Sequence, residues 1–384
     1  EKEELGIDDI ERLVEEAEQE EDAGMNKKAT GIWMQIVLIQ ENELGTKHPS
    51  TAMSLNRLAW VYSKQGLNSK AEPIYLRALE IAELSLGAEQ IGTSLILNNL
   101  AFLYNKQGLY DKAEPLLKRA LRIHEQSLGP DHPSTAMSLN QLAWLYYKQK
   151  VYSKAEPLFI RALSIREKSL GPEHLGTALI LNNLAWLYYS QGLYSKAQPL
   201  IMRAIAIRER RLGPEHPSTA TSLDNLALLY IKKGTYSKAE HLFLRVLKIC
   251  QKTLGTEHQG TENVLNKLAL LYYTQGLYAK SWPLARRGLE IKFTLIQRET
   301  PYLALSERKS FTQTFESTYD WISSGASRGN SGAKLAFFSR LNRQGLLEEI
   351  EKRQAQLASL PGPQQELAEE LRGLTQQLAS KSLK

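Results

Sequence analysis

Three kinds of side chain that can bind a peptide recur at intervals of 42 residues along this chain. The first is an amide row, formed by Asn56, Asn98, Asn140, Asn182 and Asn266, with Asp224 in the fifth place. The second is an aromatic row, formed by Trp60, Phe102, Trp144 and Trp186 and continued by Leu228 and Leu270. The third is a cationic row, formed by Lys64, Lys106, Lys148 and Lys232 and accompanied by Tyr147, Tyr189 and Tyr273.

Each row matches one property of an extended peptide. An amide side chain offers a donor and an acceptor together, so an asparagine row can pair with a peptide backbone of any sequence. Large aromatic side chains anchor apolar residues, and lysines favour acidic ligands. The rows therefore predict a groove for a peptide or protein ligand that is acidic or carries aromatic residues. Asp224, Leu228 and Leu270 depart from the rows, which weakens this expectation for the fifth and sixth copies.

A purely structural interpretation of the same rows is also open. Trp60 and its counterparts can pack between neighbouring helices, and the asparagines can hydrogen bond to a neighbouring part of the chain. Replacing Asn98 and Asn182 with alanine separates the two interpretations. Loss of binding at an unchanged melting temperature indicates a ligand site, and a large loss of stability indicates packing.

The rows need helices to position them, and each 42-residue copy supplies two. In the copy that begins at His48, apolar residues recur at helical spacing, at Leu55, Leu58, Ala59 and Tyr62. This spacing predicts a first helix over 49–65, whose opposite stripe carries Met53, Asn56, Trp60 and Lys64. A second apolar stripe, at Ala71, Tyr75, Ala78, Leu79 and Ala82, predicts a second helix over 69–86. Each copy is thus predicted to be an antiparallel helix pair.

Short signals mark the turn between the two helices. Gly66 can take the positive φ that ends the first helix, and Lys150 stands in the same place in the third copy. Ser69 and Glu72 have the spacing of a capping box for the second helix. Pro73 is expected in the first turn of that helix, where no hydrogen bond is lost.

The copies divide the chain into three parts. Residues 1–47 are predicted to form a degenerate acidic capping repeat, in which Glu16 and Glu20 stand at apolar positions. Residues 48–300 hold six helix pairs without an insertion, and alternate copies match best, so ligand contacts are expected to alternate as well. Residues 301–384 are predicted to form C-terminal helices that lead towards an absent downstream domain.

Charge is distributed unevenly along the sequence. The 384 residues carry a net charge of +6, yet residues 1–22 carry a net charge of −10 and the remainder +16. One interpretation is a solvated acidic cap, and the other is an acidic segment that folds back on a basic groove. A truncation that begins at Gly24 and keeps its ligand affinity would exclude the second.

One copy carries a recognisable family pattern at Leu58, Ala59, Tyr62, Ala71, Tyr75 and Ala78, which resembles the tetratricopeptide repeat. The usual repeat has about 34 residues, and the longer copy with its Leu-Gly-Pro-Glu-His-Pro connection is similar to the repeat of kinesin light chains. The resemblance covers residues 8–298. It implies an all-α fold, a right-handed tetratricopeptide superhelix (α-solenoid) with a C-terminal helical extension. It also implies a protein-interaction scaffold whose first helices line the ligand groove.

A second resemblance lies in the C-terminal part. The stretch LNRQGLLEEIEKRQAQL at 341–357 resembles the segment that joins tetratricopeptide arrays to a caspase-like CHAT peptidase domain in bacterial, notably cyanobacterial, proteins. It implies the regulatory arm of such a peptidase, with the peptidase itself outside this sequence. A free-standing adaptor similar to kinesin light chains is the alternative.

Other functional classes find less support in the residues. No run of 18 apolar residues is present, and the single cysteine, Cys250, fits a cytoplasmic location. Five of the seven histidines occupy one repeat position, which predicts no metal site. The sequence has no phosphate-binding glycine loop, no nucleophile elbow and no carboxylate pair set apart from the repeat, so we expect no cofactor and no enzyme. A single-stranded nucleic-acid binder is the alternative of a different class. The apolar stripe at residues 335–350 needs a partner, which is either the last repeat, as we expect, or, through self-association, a second copy of the chain.

Overall fold

A computed structural model describes residues 6–22 and 26–299 of the chain. After a short 3-10 turn at Ile7–Asp9, the helices are α1 (Ile10–Asp22), α2 (Asn26–Glu43), α3 (Pro49–Lys64), α4 (Asn68–Ser85), α5 (Ile91–Lys106), α6 (Tyr110–Ser127), α7 (Pro133–Lys148), α8 (Tyr152–Leu170), α9 (Leu175–Ser190), α10 (Tyr194–Leu212), α11 (Pro217–Lys232), α12 (Tyr236–Thr253), α13 (Gln259–Thr274) and α14 (Tyr278–Glu299). Within these ranges the chain contains no strand. The two helices predicted over 49–65 and 69–86 are confirmed to within one residue.

The described helices fall into two compact units. Helices α1–α10 belong to the first unit, which ends at Pro214, and α11–α14 belong to the second, which begins at Glu215. Within each unit every odd-numbered helix packs along the even-numbered helix that follows, and that helix packs on the first helix of the next pair. The predicted all-α fold, an α-solenoid of consecutive helix pairs, is therefore confirmed.

Small residues bring the two helices of each pair together. Ala59 of α3 and Ala71 of α4 are fully buried, and the equally buried ring of Tyr75 lies on the same stripe of α4 as Ala71. In the next pair Leu97 of α5 clusters with Ala120 and Ile123 of α6. Because the interior is close-packed, a larger side chain at these alanine positions would force the helices apart.

A threonine bonds to the connection before several first helices, and a histidine caps five of them; α5 instead has Gln90 as its N-cap, which makes no side-chain capping bond. Thr93 Oγ1 donates a 2.8 Å hydrogen bond to the carbonyl of Gly87, and Thr135, Thr177 and Thr261 make the same bond in their own copies. The N-cap residues are His48, His132, His174, His216 and His258, and the Nδ1 atom of each accepts the backbone N–H two residues ahead. A side-chain acceptor at this position satisfies an N–H group that the helix leaves free. The repeated histidines are therefore helix caps.

Two details of the predicted turn are wrong. The second helix begins one residue early, so that Leu67 is its N-cap and Ser69 makes no capping bond. The N-caps of the equivalent helices, which likewise lack a side-chain bond, are Leu109, Val151, Leu193 and Thr235. Pro73 consequently lies in the second turn, where its missing N–H cannot bond to the carbonyl of Ser69. Glu72, the second residue of that spacing, instead accepts a hydrogen bond from Tyr104 in the next helix pair.

The acidic N-terminal stretch forms α1, which packs along α2 as the first helix of a degenerate pair. The predicted C-terminal elements lie outside the described residues. These are the link at 323–332, the long helix from Ala333 with its apolar stripe, and the segment at 341–357.

Candidate peptide-binding face

First helices of successive pairs lie side by side in the N-terminal unit. Helix α3 contacts α5, α5 contacts α7, and α7 contacts α9. The rings of Trp60 on α3 and Phe102 on α5 have their centroids 5.4 Å apart. We call the solvent-facing side of α3, α5, α7 and α9 the first-helix face.

The asparagine row lies at the buried edge of this face. Asn56, Asn98 and Asn182 are buried and Asn140 is half-buried. Their neighbours reach them from the next pair, since Asn99 Nδ2 donates to Asn56 Oδ1 at 3.0 Å and Asn183 Nδ2 donates to Asn140 Oδ1 at 2.8 Å. These side chains join adjacent first helices, which favours the structural interpretation of the row.

The same asparagine bond occurs at two of the junctions between first helices in this unit. The bonds recur at the α3–α5 and α7–α9 junctions, where asparagine stands on both sides. At the α5–α7 junction Gln141 replaces the second asparagine, and the Oδ1 atom of buried Asn98 has no hydrogen-bond partner among the described residues.

The aromatic row is more exposed than the asparagine row. Phe102 is exposed, and Trp60, Trp144 and Trp186 are half-buried. Two of the tryptophans stack on a tyrosine one turn later: the Trp144–Tyr147 and Trp186–Tyr189 ring centroids are each 4.8 Å apart. Both stacks continue to a tyrosine at the start of the next helix, Tyr152 or Tyr194. The rows therefore bring aromatic rings together at the turn end of the first-helix face.

Two lysines of the cationic row lie near the aromatic rings and a third bonds to the backbone, and all three side chains are exposed. Lys148 Nζ lies 5.3 Å from the Trp144 ring centroid, and Lys64 Nζ lies 5.9 Å from that of Trp60. Lys106 Nζ donates a 2.8 Å hydrogen bond to the carbonyl of Ser63, and the partial burial of its ammonium group lowers the pKa of this lysine. A cation near an aromatic face is attracted by the ring quadrupole, so the rows reinforce each other in this unit.

An apolar row on the same face went unrecognised in the sequence. Leu95, Met137 and Leu179 recur 42 residues apart, two turns before the aromatic row, and all three are large exposed apolar residues. Their counterpart Met53 lies on the stripe of α3 that the helical spacing predicts. Its repetition as Met or Leu was the available signal.

Row positions in the C-terminal unit have different contacts. Asp224 accepts two 2.7 Å hydrogen bonds from Lys267 Nζ. Asn266 and Leu228 are half-buried, and Leu270 is exposed. An ion pair thus replaces the amide pair here, and the aromatic row has no ring in either place.

Two titratable side chains that lie away from the first-helix face, Cys250 and His124, are buried in the protein interior. Cys250 is buried, and this burial raises the pKa of its thiol. His124 is buried between Ser94 Oγ, 2.7 Å from Nε2, and Ser138 Oγ, 2.8 Å from Nδ1. Among the described residues no group of three or more His, Cys, Asp or Glu side chains is placed to hold a metal ion.

The family model described as tetratricopeptide repeat matches this chain at residues 13–83, 92–168, 145–210, 189–249 and 218–292. No curated protein matches the sequence. The solved apo form of RapI is 17% identical, with a TM-score of 0.55 and coverage of 75% of this chain and 99% of that one, a likeness in fold. BtubC (BKLC) from P. vanneervenii is 25% identical, with a TM-score of 0.48 and coverage of 64% and 92%. The nearly identical TPR-like repeats of a putative kinesin light chain from Podosopora anserina are 29% identical, with a TM-score of 0.45 and coverage of 54% and 98%. None of the helices described here is long and apolar enough to span a bilayer.

Proposed function

The chain belongs to the tetratricopeptide repeat family, and on that premise we propose that its first-helix face binds an extended segment of a partner protein. Repeats of this family generally mediate protein–protein interaction. The observation that carries the proposal is the combination, in one unit, of exposed apolar residues, stacked aromatic rings and lysines. The segment is expected to be acidic or to carry aromatic residues.

The binding free energy expected from each kind of contact indicates how the ligand is held. Burying one large apolar side chain contributes about 1.5–3 kcal/mol, so covering the exposed halves of about five of them contributes on the order of 5 kcal/mol. A micromolar complex needs about 8 kcal/mol. Lysine pairs and backbone hydrogen bonds must therefore supply the remaining part, and they are the contacts that select one ligand over another.

Backbone hydrogen bonds to the ligand are assigned to Asn99 and Asn183. Both side chains are half-buried, and each uses one amide N–H to bond the neighbouring helix. An amide has a second N–H and an oxygen acceptor, which are the groups that a peptide backbone can pair with. Asn56 and Asn140, whose oxygens already accept these bonds, have the supporting role.

A selection from a displayed library of random 15-residue peptides tests this proposal. Peptides recovered on the whole chain should lose at least tenfold in affinity for the variant Phe102→Ala/Met137→Ala, since these residues lie on the first-helix face. Leu76→Ala/Ile160→Ala is the matched control, because Leu76 and Ile160 on the second helices are each 47% exposed against 45% and 49% for the first pair.

Two outcomes would contradict the proposal. One is a library that yields no binder, and the other is a set of peptides that the control variant loses and the face variant keeps. A labelled oligo-dT of 15 nucleotides serves as a further probe. Tight binding of this DNA, with a steep loss between 50 and 200 mM salt, would instead favour the single-stranded nucleic-acid alternative.

We also propose that the scaffold is the regulatory arm of a caspase-like CHAT peptidase. The support is the sequence of residues 341–357 alone, and the alternative is a free-standing adaptor in the cytoplasm. Intact mass of the native gene product, with sequencing of its C-terminal peptides, distinguishes them. A product that extends past Lys384 into a region with a His and Cys pair is expected, and a product that ends there contradicts the peptidase proposal.

A further inference from the structure

The degenerate first pair places carboxylates where later pairs carry apolar and aromatic residues. On α1, Glu11 takes the place of Met53, and Glu18 takes the place of Trp60, each 42 residues earlier. Glu15 lies between them at a helical spacing of i, i+4 and i+7, so the three share one side of α1. All three are exposed.

Contacts between α1 and α3 show that this carboxylate side continues into the first-helix face. Glu18 Oε1 lies 2.8 Å from Arg57 Nη2, and Glu21 Oε2 lies 3.4 Å from Lys64 Nζ. The carboxylate of Glu21 is also held by α2, because Trp33 Nε1 donates a 2.9 Å hydrogen bond to Glu21 Oε1. The charges at this boundary compensate each other within the chain.

Beyond these ion pairs, in the described part of the chain, carboxylates without a cationic partner remain on α1, and lysines without a carboxylate partner remain on α5 and α7. Glu11 and Glu15 on α1 have no cationic partner among the described residues, and no described carboxylate pairs with Lys106 on α5 or Lys148 on α7. The carboxylate side of α1 and the first-helix face together therefore have an acidic end at α1 and a basic stretch at α5 and α7.

The two charged ends are far enough apart to act separately. Neighbouring packed helices lie roughly 10 Å apart, which places α5 about 20 Å and α7 about 30 Å from α1. The Debye length at physiological salt is about 8 Å, so each end attracts only the part of a ligand that lies over it. A uniformly acidic ligand would be repelled at α1.

We infer that the ligand is a bipolar segment of a partner protein, with basic residues over Glu11 and Glu15 and acidic residues over Lys106 and Lys148. An extended chain rises about 3.3 Å per residue, so roughly six to nine residues separate the two charge clusters. Apolar or aromatic residues occupy the interval and contact the ring of Phe102. This inference rests on the proposed function of the first-helix face.

Fluorescence anisotropy with synthetic 15-residue peptides tests the charge order at physiological salt. One peptide carries three arginines, a central Phe-containing spacer and three glutamates, and it is made in both backbone directions. A second has the same composition with alternating charges, and a third has glutamines in place of the arginines. We expect one bipolar peptide to bind about tenfold tighter than the alternating one, a gain that two to three exposed ion pairs can supply.

Variants of α1 connect that preference to the proposed residues. Glu11→Gln/Glu15→Gln should reduce the bipolar peptide to the affinity of the glutamine peptide and leave the glutamine peptide unchanged or tighter. Glu43→Gln/Glu80→Gln is the matched control, since both glutamates are exposed on second helices of the same unit. The control should change neither affinity.

The outcomes separate this inference from the function beneath it. A glutamine peptide that binds as tightly as the bipolar peptides, with an affinity that Phe102→Ala/Met137→Ala lowers, overturns the charge order and leaves the binding face intact. If no peptide binds in a way that depends on Phe102 and Met137, both proposals fail.

Discussion

Lys150 holds a backbone conformation that the other described turns between paired helices give to glycine. Its φ is +62°, while Gly66 and Gly108 at the same position have φ of +81° and +77°. A residue with a Cβ pays about 1 kcal/mol or more in this left-handed region. Lys150→Gly should therefore stabilise the chain by about 1 kcal/mol, measured by urea unfolding. Gly108→Lys is the reciprocal control and should destabilise it by a similar amount; the absence of both effects would contradict the argument.

Buried His124 makes stability depend on pH. Burial, and then the nearby His132, lower the pKa of His124, so the folded chain keeps this ring neutral where the unfolded chain begins to bind a proton. The free energy of unfolding should therefore fall as the pH drops through about 6.5. His124→Gln should show a smaller loss of melting temperature between pH 7.5 and pH 5 than the unmodified chain. His241→Gln, at an exposed histidine, should leave the loss as it is, and equal behaviour of the two variants would refute the assignment.

Asn99 and Asn183 give the structural test of the amide contacts. Each donates a hydrogen bond across a junction between first helices. Asn99→Ala and Asn183→Ala should each cost about 1 kcal/mol of stability, because Asn56 or Asn140 loses its donor. Thermal unfolding measures this loss. An unchanged melting temperature would mean that these bonds contribute nothing to stability.

The burial of an individual side chain in the rows of the first-helix face could not be predicted from the sequence. The 42-residue period places Asn56 on the correct stripe of α3, yet its depth depends on the direction of its side chain and on the distance to α5. Neither quantity is contained in a helical periodicity, so a buried amide and an exposed one have the same sequence signal. The row of Leu95, Met137 and Leu179 shows the reverse case, in which ordinary apolar residues turn out to be exposed.

At the scale of helices, four of the first helices are each joined to the preceding pair by a tyrosine. The Tyr104, Tyr146, Tyr188 and Tyr272 hydroxyls donate to Glu72, Glu114, Glu156 and Glu240 at 2.6–2.9 Å. A lysine of the following helix lies over each ring, for example Lys112 at 5.0 Å from the Tyr104 centroid. The predicted capping box is therefore wrong because these glutamates bond to a tyrosine of the next repeat, and a spacing within one repeat carries no information about that partner.

These ties predict a loss of stability at alkaline pH. Burial, followed by the hydrogen bond and charge of the glutamate, raises the pKa of Tyr104 and Tyr188 to about 12. Since the folded pKa lies above the ordinary value of about 10, the stabilisation is complete below pH 10 and is lost as the pH rises towards 12. Urea unfolding at pH 8 and pH 11 should show a smaller loss for Tyr104→Phe/Tyr188→Phe than for the unmodified chain. Tyr236→Phe, at an exposed ring, is the control, and an equal loss in all three proteins would contradict the role of these hydroxyls.

At the scale of the molecule, repetition is what made the fold predictable. Alanine, glycine and leucine at fixed positions specify the same helix pair in every copy, so an error in one copy is corrected by the others. Ligand specificity has no such redundancy. It depends on departures from the repeat, such as Glu11 at the place of Met53, Ser190 at the place of a lysine and the pair of Asp224 with Lys267. A departure is recognisable in the sequence, but its partner and exposure are not.

The central claim is that the ligand lies on the first helices, and photo-crosslinking tests it most directly. p-Benzoyl-phenylalanine placed at position 102 on α5, or at position 160 on α8 as the control, is irradiated with a biotinylated peptide recovered from the random library. The account predicts a crosslinked product from position 102 and none from position 160, with both proteins binding the peptide. Crosslinking from position 160 alone would contradict the account and place the ligand on the second helices.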